Sequence, residues 1–153
     1  MERISRDTMF MDIAQILAER STCARAQVGA VLVRDNRIIT TGYAGAPSGM
    51  THCLDAGCDL QSHLPEGDQH CLRTVHAEAN VIAFAARYGI QTDGATLYCT
   101  HRPCENCAKL LINAGIKKVI YLHEYGDPAG LDLLVKAEVK VRNFNQILWA
   151  GSD

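Results

Sequence analysis

The residues best equipped for chemistry in this chain of 153 amino acids are His76, Glu78, Cys104 and Cys107, which stand in the runs His76-Ala77-Glu78 and Pro103-Cys104-Glu105-Asn106-Cys107. Cysteines three apart come onto one face of a helix within a single turn, so both thiolates can bind one metal ion, and sulfur and imidazole are ordinary zinc ligands. His76 supplies the third ligand. No clear fourth protein ligand accompanies them, and three ligands with an open position for water are the pattern of a catalytic zinc, not a structural one. Such an ion makes water acidic enough to attack near neutral pH. Glu78, two residues from His76, can reach that water without binding the metal and can carry its proton to a substrate.

Each run must open a helix for this to work. The pattern Ala77, Val81, Ile82, Phe84 and Ala85 predicts a helix over His76 to Arg87, stopped near Gly89. Pro103 suits the first residue of a second helix, which runs to Gly115. The positive ends of both helices favour thiolates over thiols. Ahead of them, Ser5 or Asp7 can cap a helix whose buried face carries Met9, Phe10, Ile13, Ala14 and Leu17. Val28 to Val33 and Arg37 to Thr41 form a hairpin across Asp35-Asn36. The Gly42 to Gly49 stretch, with three glycines and a proline, breaks the strand and forms a loop. Strands follow at Ala95 to Cys99, Lys118 to Leu122 and Val139 to Val141, with a loop at Gly126 to Gly130 and a short helix at Leu131 to Ala137. Helix, hairpin, then alternating helix and strand imply an α/β fold of three layers, α/β/α, around a mixed sheet of about five strands.

Composition sets the bounds. At 48% hydrophobic and 21% charged, residues 1–153 fit one domain, interrupted by a Cys/His-rich insert at about 50–74. An irregular insert of that length needs a binding role or a staple. A net charge of -2 leaves no general cationic excess for a nucleic-acid backbone, although a few local groups can still bind a small anion. No signal-type or membrane-length apolar run is present, which points to a cytoplasmic protein without a membrane partner. Seven cysteines in that compartment are better read as metal ligands than as disulfides. Cys99 alone is left open between that role and a small core residue.

HxE followed by PCxxC is the signature of zinc nucleobase deaminases. Over nearly its whole length the sequence resembles the deoxycytidylate (dCMP) deaminase family, through Val28-Gly29-Ala30-Val31, the Gly42 to Gly49 loop, His70 to Glu78, and Pro103 to Gly115. The resemblance implies a cytidine-deaminase fold, conversion of dCMP to dUMP for thymidylate synthesis, and a homohexamer activated by dCTP and inhibited by dTTP, with Mg2+ accompanying a triphosphate effector. In this chemistry Glu78 would protonate a ring nitrogen and assist loss of ammonia.

The resemblance further implies a second, structural zinc on Cys23, Cys53 and Cys71, with His70 as the fourth ligand and Cys58 its rival. It places Val28, Gly29, Tyr43, Gly45, Pro47, Ser48 and Gly49 at the substrate or effector, and Phe84 and Arg87 near a subunit interface and the effector region. Glycine lets backbone N–H groups approach phosphate closely, which is the physical case for the loop. One position departs from the family. Ala44 stands where an Asn usually holds the sugar hydroxyl, so the substrate can also be a 5-substituted dCMP or dCTP. Two further alternatives stay open: a tRNA adenosine deaminase, against which the charge balance and the insert stand, and a non-catalytic zinc module, against which Glu78 stands.

Overall fold

The computed structural model describes residues 1–66 and 69–149. Helix α1 (Arg6–Ala18) starts at Ser5, whose hydroxyl accepts the Thr8 backbone N–H at 3.0 Å. Asp7 is not the cap. Its carboxylate accepts the Tyr98 hydroxyl at 2.5 Å, a charge-assisted bond worth about 1.5–3 kcal/mol that ties the helix to the sheet. The buried face is Phe10, Met11, Ala14 and Ala18, while Met9 is exposed and Ile13 and Leu17 are half-buried. The expected face was therefore rotated, because Met9 and Met11 flank Phe10 symmetrically and only packing against Val31, Val33 and Tyr98 selects between them.

Strands β1 (Gly29–Arg34) and β2 (Arg37–Tyr43) pair antiparallel. Asp35 and Asn36 turn between them with φ of 51° and 57°, the left-handed pair that matches strand twist. The register shifts between Leu32 and Val33. Contrary to the expected break, β2 continues through Gly42 and Tyr43, which pair with Ala30 and Gly29, since the backbone alone makes the ladder.

The five-stranded sheet runs β2-β1-β3-β4-β5. β3 (Thr96–His101) is antiparallel to β1 and parallel to β4 (Lys118–His123), and β4 is parallel to β5 (Lys140–Asn143). Between them stand α2 (Cys53–Ala56), α3 (Ala77–Arg87), α4 (Glu105–Asn113) and α5 (Ala129–Lys136), and α6 (Phe144–Trp149) follows β5. Along β1, Val31 and Val33 face a cluster with Phe10, Met11, Ile120 and Phe144, while Ala30 and Leu32 face one with Val81, Leu97, Leu111 and Leu134. A strand buried on both faces must be apolar at every position, which explains the unbroken Ala30 to Val33 run. The architecture is thus α/β/α, with α1 and α6 on one face and α3, α4 and α5 on the other.

Other elements also differ from the sequence reading, the strands by one or two residues at their ends. Pro103 precedes the α4 cap, Cys104, rather than opening the helix. Gly130 lies inside α5 and not in the loop before it. Helix α6 was not anticipated; Asn143 starts it by accepting the Asn145 backbone N–H at 2.9 Å. Among the described residues no helix is long and apolar enough to cross a membrane.

Candidate active site

His76 and Cys104 occupy equivalent places, each the extended residue that caps a helix: His76 for α3 and Cys104 for α4. Neither side chain makes a capping hydrogen bond to its helix, so both can turn toward a ligand. His76 Nδ1 lies 3.5 Å from the sulfurs of both Cys104 and Cys107, and the three donor atoms fall within 4.8 Å of one another. The approach of α3 is set by a backbone clamp. Gly45 and Val75 exchange both hydrogen bonds, at 3.1 and 2.8 Å, and Asn80 donates its amide to the Tyr43 carbonyl at 2.8 Å. On the other side, a Cβ at Gly130 would collide with the Pro103 carbonyl oxygen, so glycine lets α5 press directly on the chain entering Cys104.

The electrostatics fit a cation. A hydrogen bond from Cys107 brings the Cys104 thiol down to about 3, against burial and with help from His76. The Cys107 thiol, as donor of that bond, is pushed up, and burial adds to the effect. The first sulfur to ionise thus keeps the proton on the second, and a divalent cation between them favours loss of both. His76 is raised by its hydrogen bond to Cys104, with burial opposing. An imidazole nitrogen and two sulfurs are a zinc donor set. Beside it Glu78 is 4% exposed, and burial lifts its carboxyl to about 7, opposed by its own backbone N–H and by His76. Glu105 is not a rival: it is exposed and paired with Lys109 at 2.5 Å. Cys99 is wholly buried in β3 within the core, where desolvation raises its thiol.

A second group of thiols forms in the insert. Cys53, Cys58 and Cys71 bring their sulfurs within 4.8 Å, with Cys53 and Cys71 3.7 Å apart and the Thr74 hydroxyl 3.5 Å from Cys53. Burial raises the Cys71 thiol, but hydrogen bonds from Thr74 and the backbone of Arg73 and Asp59 outweigh it and bring the thiol to about 6. Cys58 is raised by burial and then by the charges of Cys71, Cys53 and Cys23. His70 is corrected: it does not join this group, and Cys58 does. Leu60 and Cys71 form a β-bridge that sets the path of the insert on which Cys58 and Cys71 come together. Cys23 is buried and close enough to act electrostatically on Cys58, but it lies outside the tight trio.

The residues expected around substrate or effector divide between two clefts. Val28 lines a cleft of about 900 Å³ with His76, Glu78 and Cys104, and Ala44 lies in the same wall. Ala44 is pinned by its backbone, its N–H to Val28 at 2.9 Å and its carbonyl to the Ser21 hydroxyl at 2.7 Å, and its methyl offers no hydrogen bond. Tyr43, Gly45, Pro47, Ser48, Gly49 and Phe84 line a separate cleft of about 730 Å³. Arg87 is exposed, its guanidinium 5.7 Å from the centre of the Tyr88 ring that also lines this second cleft. Gly29 lines neither, and a Cβ there would strike the Ala14 carbonyl oxygen, so its work is to let α1 approach β1. His101, Arg102, Tyr125 and Asp127 were missed, yet they line the first cleft. His101 and His123 pair at the carboxyl ends of parallel β3 and β4, where ligands bind in sheets of this type, and Tyr125 packs edge-on against His101.

Comparison with known proteins places this geometry. Residues 4–123 match the family model described as the cytidine and deoxycytidylate deaminase zinc-binding region. The chain is 46% identical to ComE operon protein 2 of Bacillus subtilis over 92% of its own length and 72% of that protein. It is 33% identical to the deoxycytidylate deaminase of Enterobacteria phage T4, covering 91% of this chain and 92% of that one. The dCMP deaminase of cyanophage S-TIM5, solved in complex with dCMP and dUMP, superposes with a TM-score of 0.80 at 33% identity, covering 94% of this chain and all of that one. The paired helix starts, the buried acid and the sheet that carries them therefore have one source: the chain belongs to the cytidine and deoxycytidylate deaminase family.

Proposed function

We propose that the protein is a zinc-dependent hydrolytic deaminase that converts dCMP to dUMP. The observation that carries this reading is a buried carboxylate, Glu78, set beside a His/Cys/Cys donor group in the wall of a cleft of nucleotide size. The names of the relatives, and the dCMP and dUMP held by the cyanophage enzyme, support the substrate. Zinc on His76, Cys104 and Cys107 would supply Lewis acidity and lower the pKa of water. Glu78 takes the proton of the attacking water onto its carboxylate, whose burial raises its affinity for a proton and suits it to accept and then donate. It passes that proton to N3 of cytosine, takes the second proton from the hydroxyl now on C4 and delivers it to the amino group leaving C4, so dCMP and water become dUMP and ammonia.

The Ala44 methyl in the wall favours a second reading of the substrate, a 5-substituted dCMP or dCTP, because the sugar loses a side-chain hydrogen bond there. The family reading places a structural zinc on Cys23, Cys53 and Cys71 with His70; the thiol trio supports instead Cys53, Cys58 and Cys71 as its ligands, with Cys23 as the adjacent fourth sulfur. The family reading also assigns dCTP or dTTP with Mg2+ to the second cleft, in a homohexamer. The test is an absorbance assay across dCMP, 5-methyl-dCMP, 5-hydroxymethyl-dCMP, CMP, dCTP and deoxycytidine, each with and without dCTP or dTTP as effector. dCMP should turn over fastest and respond to both effectors. A zinc-loaded preparation inactive on every cytosine nucleotide contradicts the function, and fastest turnover of another member of the set reassigns the substrate.

A further inference from the structure

One row of side chains across the catalytic cleft includes a histidine that the deamination step leaves unused. The register that pairs Tyr43 with Gly29 and Cys99 with Ala30, carried one or two residues further, puts Ala44, Val28 and His101 side by side across β2, β1 and β3. All three line the cleft. The Ala44 N–H donates to the Val28 carbonyl at 2.9 Å, and the Gly29 N–H donates to the Thr100 hydroxyl at 3.2 Å, so both joins of the row are held. Of the three side chains only the imidazole of His101 can make a hydrogen bond.

The proton of that imidazole is placed by the Thr100 hydroxyl. Thr100 is buried, and its oxygen accepts the Gly29 N–H and lies 2.9 Å from His101 Nδ1, its other described partner, so the hydroxyl donates to Nδ1. A neutral imidazole that accepts at Nδ1 carries its proton at Nε2. Burial and then the charge of His123 hold the ring's pKa below its ordinary value, which keeps it neutral near pH 7. His123 packs on the ring with centroids 5.2 Å apart, and Tyr125 meets it edge-on at 5.7 Å, so its orientation is fixed. Among the described residues Nε2 has no hydrogen-bond partner.

We infer that His101 reads the C5 edge of the pyrimidine, donating Nε2–H to an oxygen carried on C5, so that the site prefers a 5-hydroxymethyl to a 5-methyl substituent. The inference rests on the proposed deaminase reading and names a specificity residue within it. On that reading C4 lies at the His76, Cys104 and Cys107 donor group and N3 at Glu78. Glu78 belongs to α3, which packs on β2 and β1, whereas His101 lies beyond Val28 on β3, on the side of β4. N3 and C5 are the two ring neighbours of C4, so a ring with N3 toward α3 turns C5 the other way, toward β3 and β4. A methyl on C5 covers the Nε2–H and strips it of water, whereas a hydroxymethyl oxygen takes the place of that water. An unsubstituted C5 leaves room for the water itself, so dCMP remains a substrate.

The test compares wild type, His101→Leu, His101→Gln and Thr100→Val, all zinc-loaded, on dCMP, 5-methyl-dCMP and 5-hydroxymethyl-dCMP. Wild type should show kcat/KM about 5- to 50-fold higher for the hydroxymethyl than for the methyl compound, as expected when a shielded donor keeps or loses its acceptor. His101→Leu, which keeps bulk without a donor, should abolish that preference, and His101→Gln, whose amide reaches about as far as Nε2, should restore part of it. Thr100→Val, a near-isostere that releases Nδ1, should weaken the preference and keeps the test decisive where the leucine variant does not fold. A merely structural role would lower both C5 derivatives alike, since they differ by one hydroxyl. Equal kcat/KM for the two in wild type, or a preference unchanged in the folded variants that lack the donor or its Thr100 partner, overturns the inference while leaving the deaminase reading intact. Wild type that deaminates none of the three overturns the deaminase reading instead. Calorimetry with 5-hydroxymethyl-dUMP and 5-methyl-dUMP then decides, and the inference falls if wild type binds the two equally.

Discussion

Two thiol-rich sites lie in this one small protein, and they are built in opposite ways. His76, Cys104 and Cys107 sit on the starts of two helices that pack on the sheet, in the wall of an open cleft, with a buried acid beside them. Cys53, Cys58 and Cys71 sit on an insert whose regular structure, among its described residues, is the four-residue α2 and one bridge. In the first case the fold holds the donor atoms, and on the proposed reading a metal adds the chemistry. In the second, on the same proposed reading, metal-bound thiols would hold the fold, because a segment with so little ladder or core of its own gains order from a staple. The proposed catalytic and structural roles thus differ in what surrounds the donor atoms as well as in the donors themselves.

This contrast can be broken at its strong side first. Cys107→Ser should remove the catalytic zinc and take deamination of dCMP to background, while zinc analysis still finds the insert's metal; retained turnover breaks the comparison. The smaller effect belongs to the insert. Cys58→Ser should cost roughly one equivalent of zinc per chain and lower the melting temperature, with kcat for dCMP kept within about tenfold, since binding and local folding are linked there and no chemistry is. Unchanged zinc content after that substitution removes Cys58 from the second site. Loss of kcat to the level of Cys107→Ser would show that the two sites are not separate in function.

Much of this was legible in the residues. A helix opening at each of HxE and PCxxC follows from the motifs, although the second starts after Cys104 and not at Pro103, and the hairpin follows from Asp35-Asn36 between two apolar runs. What was not legible depends on distant contacts. Met9 and Met11 are equally apolar, and only β1 and β3 decide which is buried. The exchange of His70 for Cys58 depends on the path of the insert through the Leu60 and Cys71 bridge, which spacing does not encode. Gly29 belongs to a resembling segment, yet the close approach of Ala14 accounts for it. His101 and Tyr125 enter the cleft because β3 and β4 are neighbours in the sheet; the strand order, more than any motif, places them there.

The central claim is that Glu78 moves the protons and does not hold the metal. Glu78→Gln keeps the size and burial of the side chain and removes its titration, so one preparation can be measured both for zinc content and for conversion of dCMP to dUMP. Zinc should remain at the wild-type level while kcat falls about 100- to 10,000-fold, the usual contribution of a positioned acid and base. Near-normal turnover with zinc retained would contradict the account, and loss of zinc together with activity would make Glu78 part of the metal site instead.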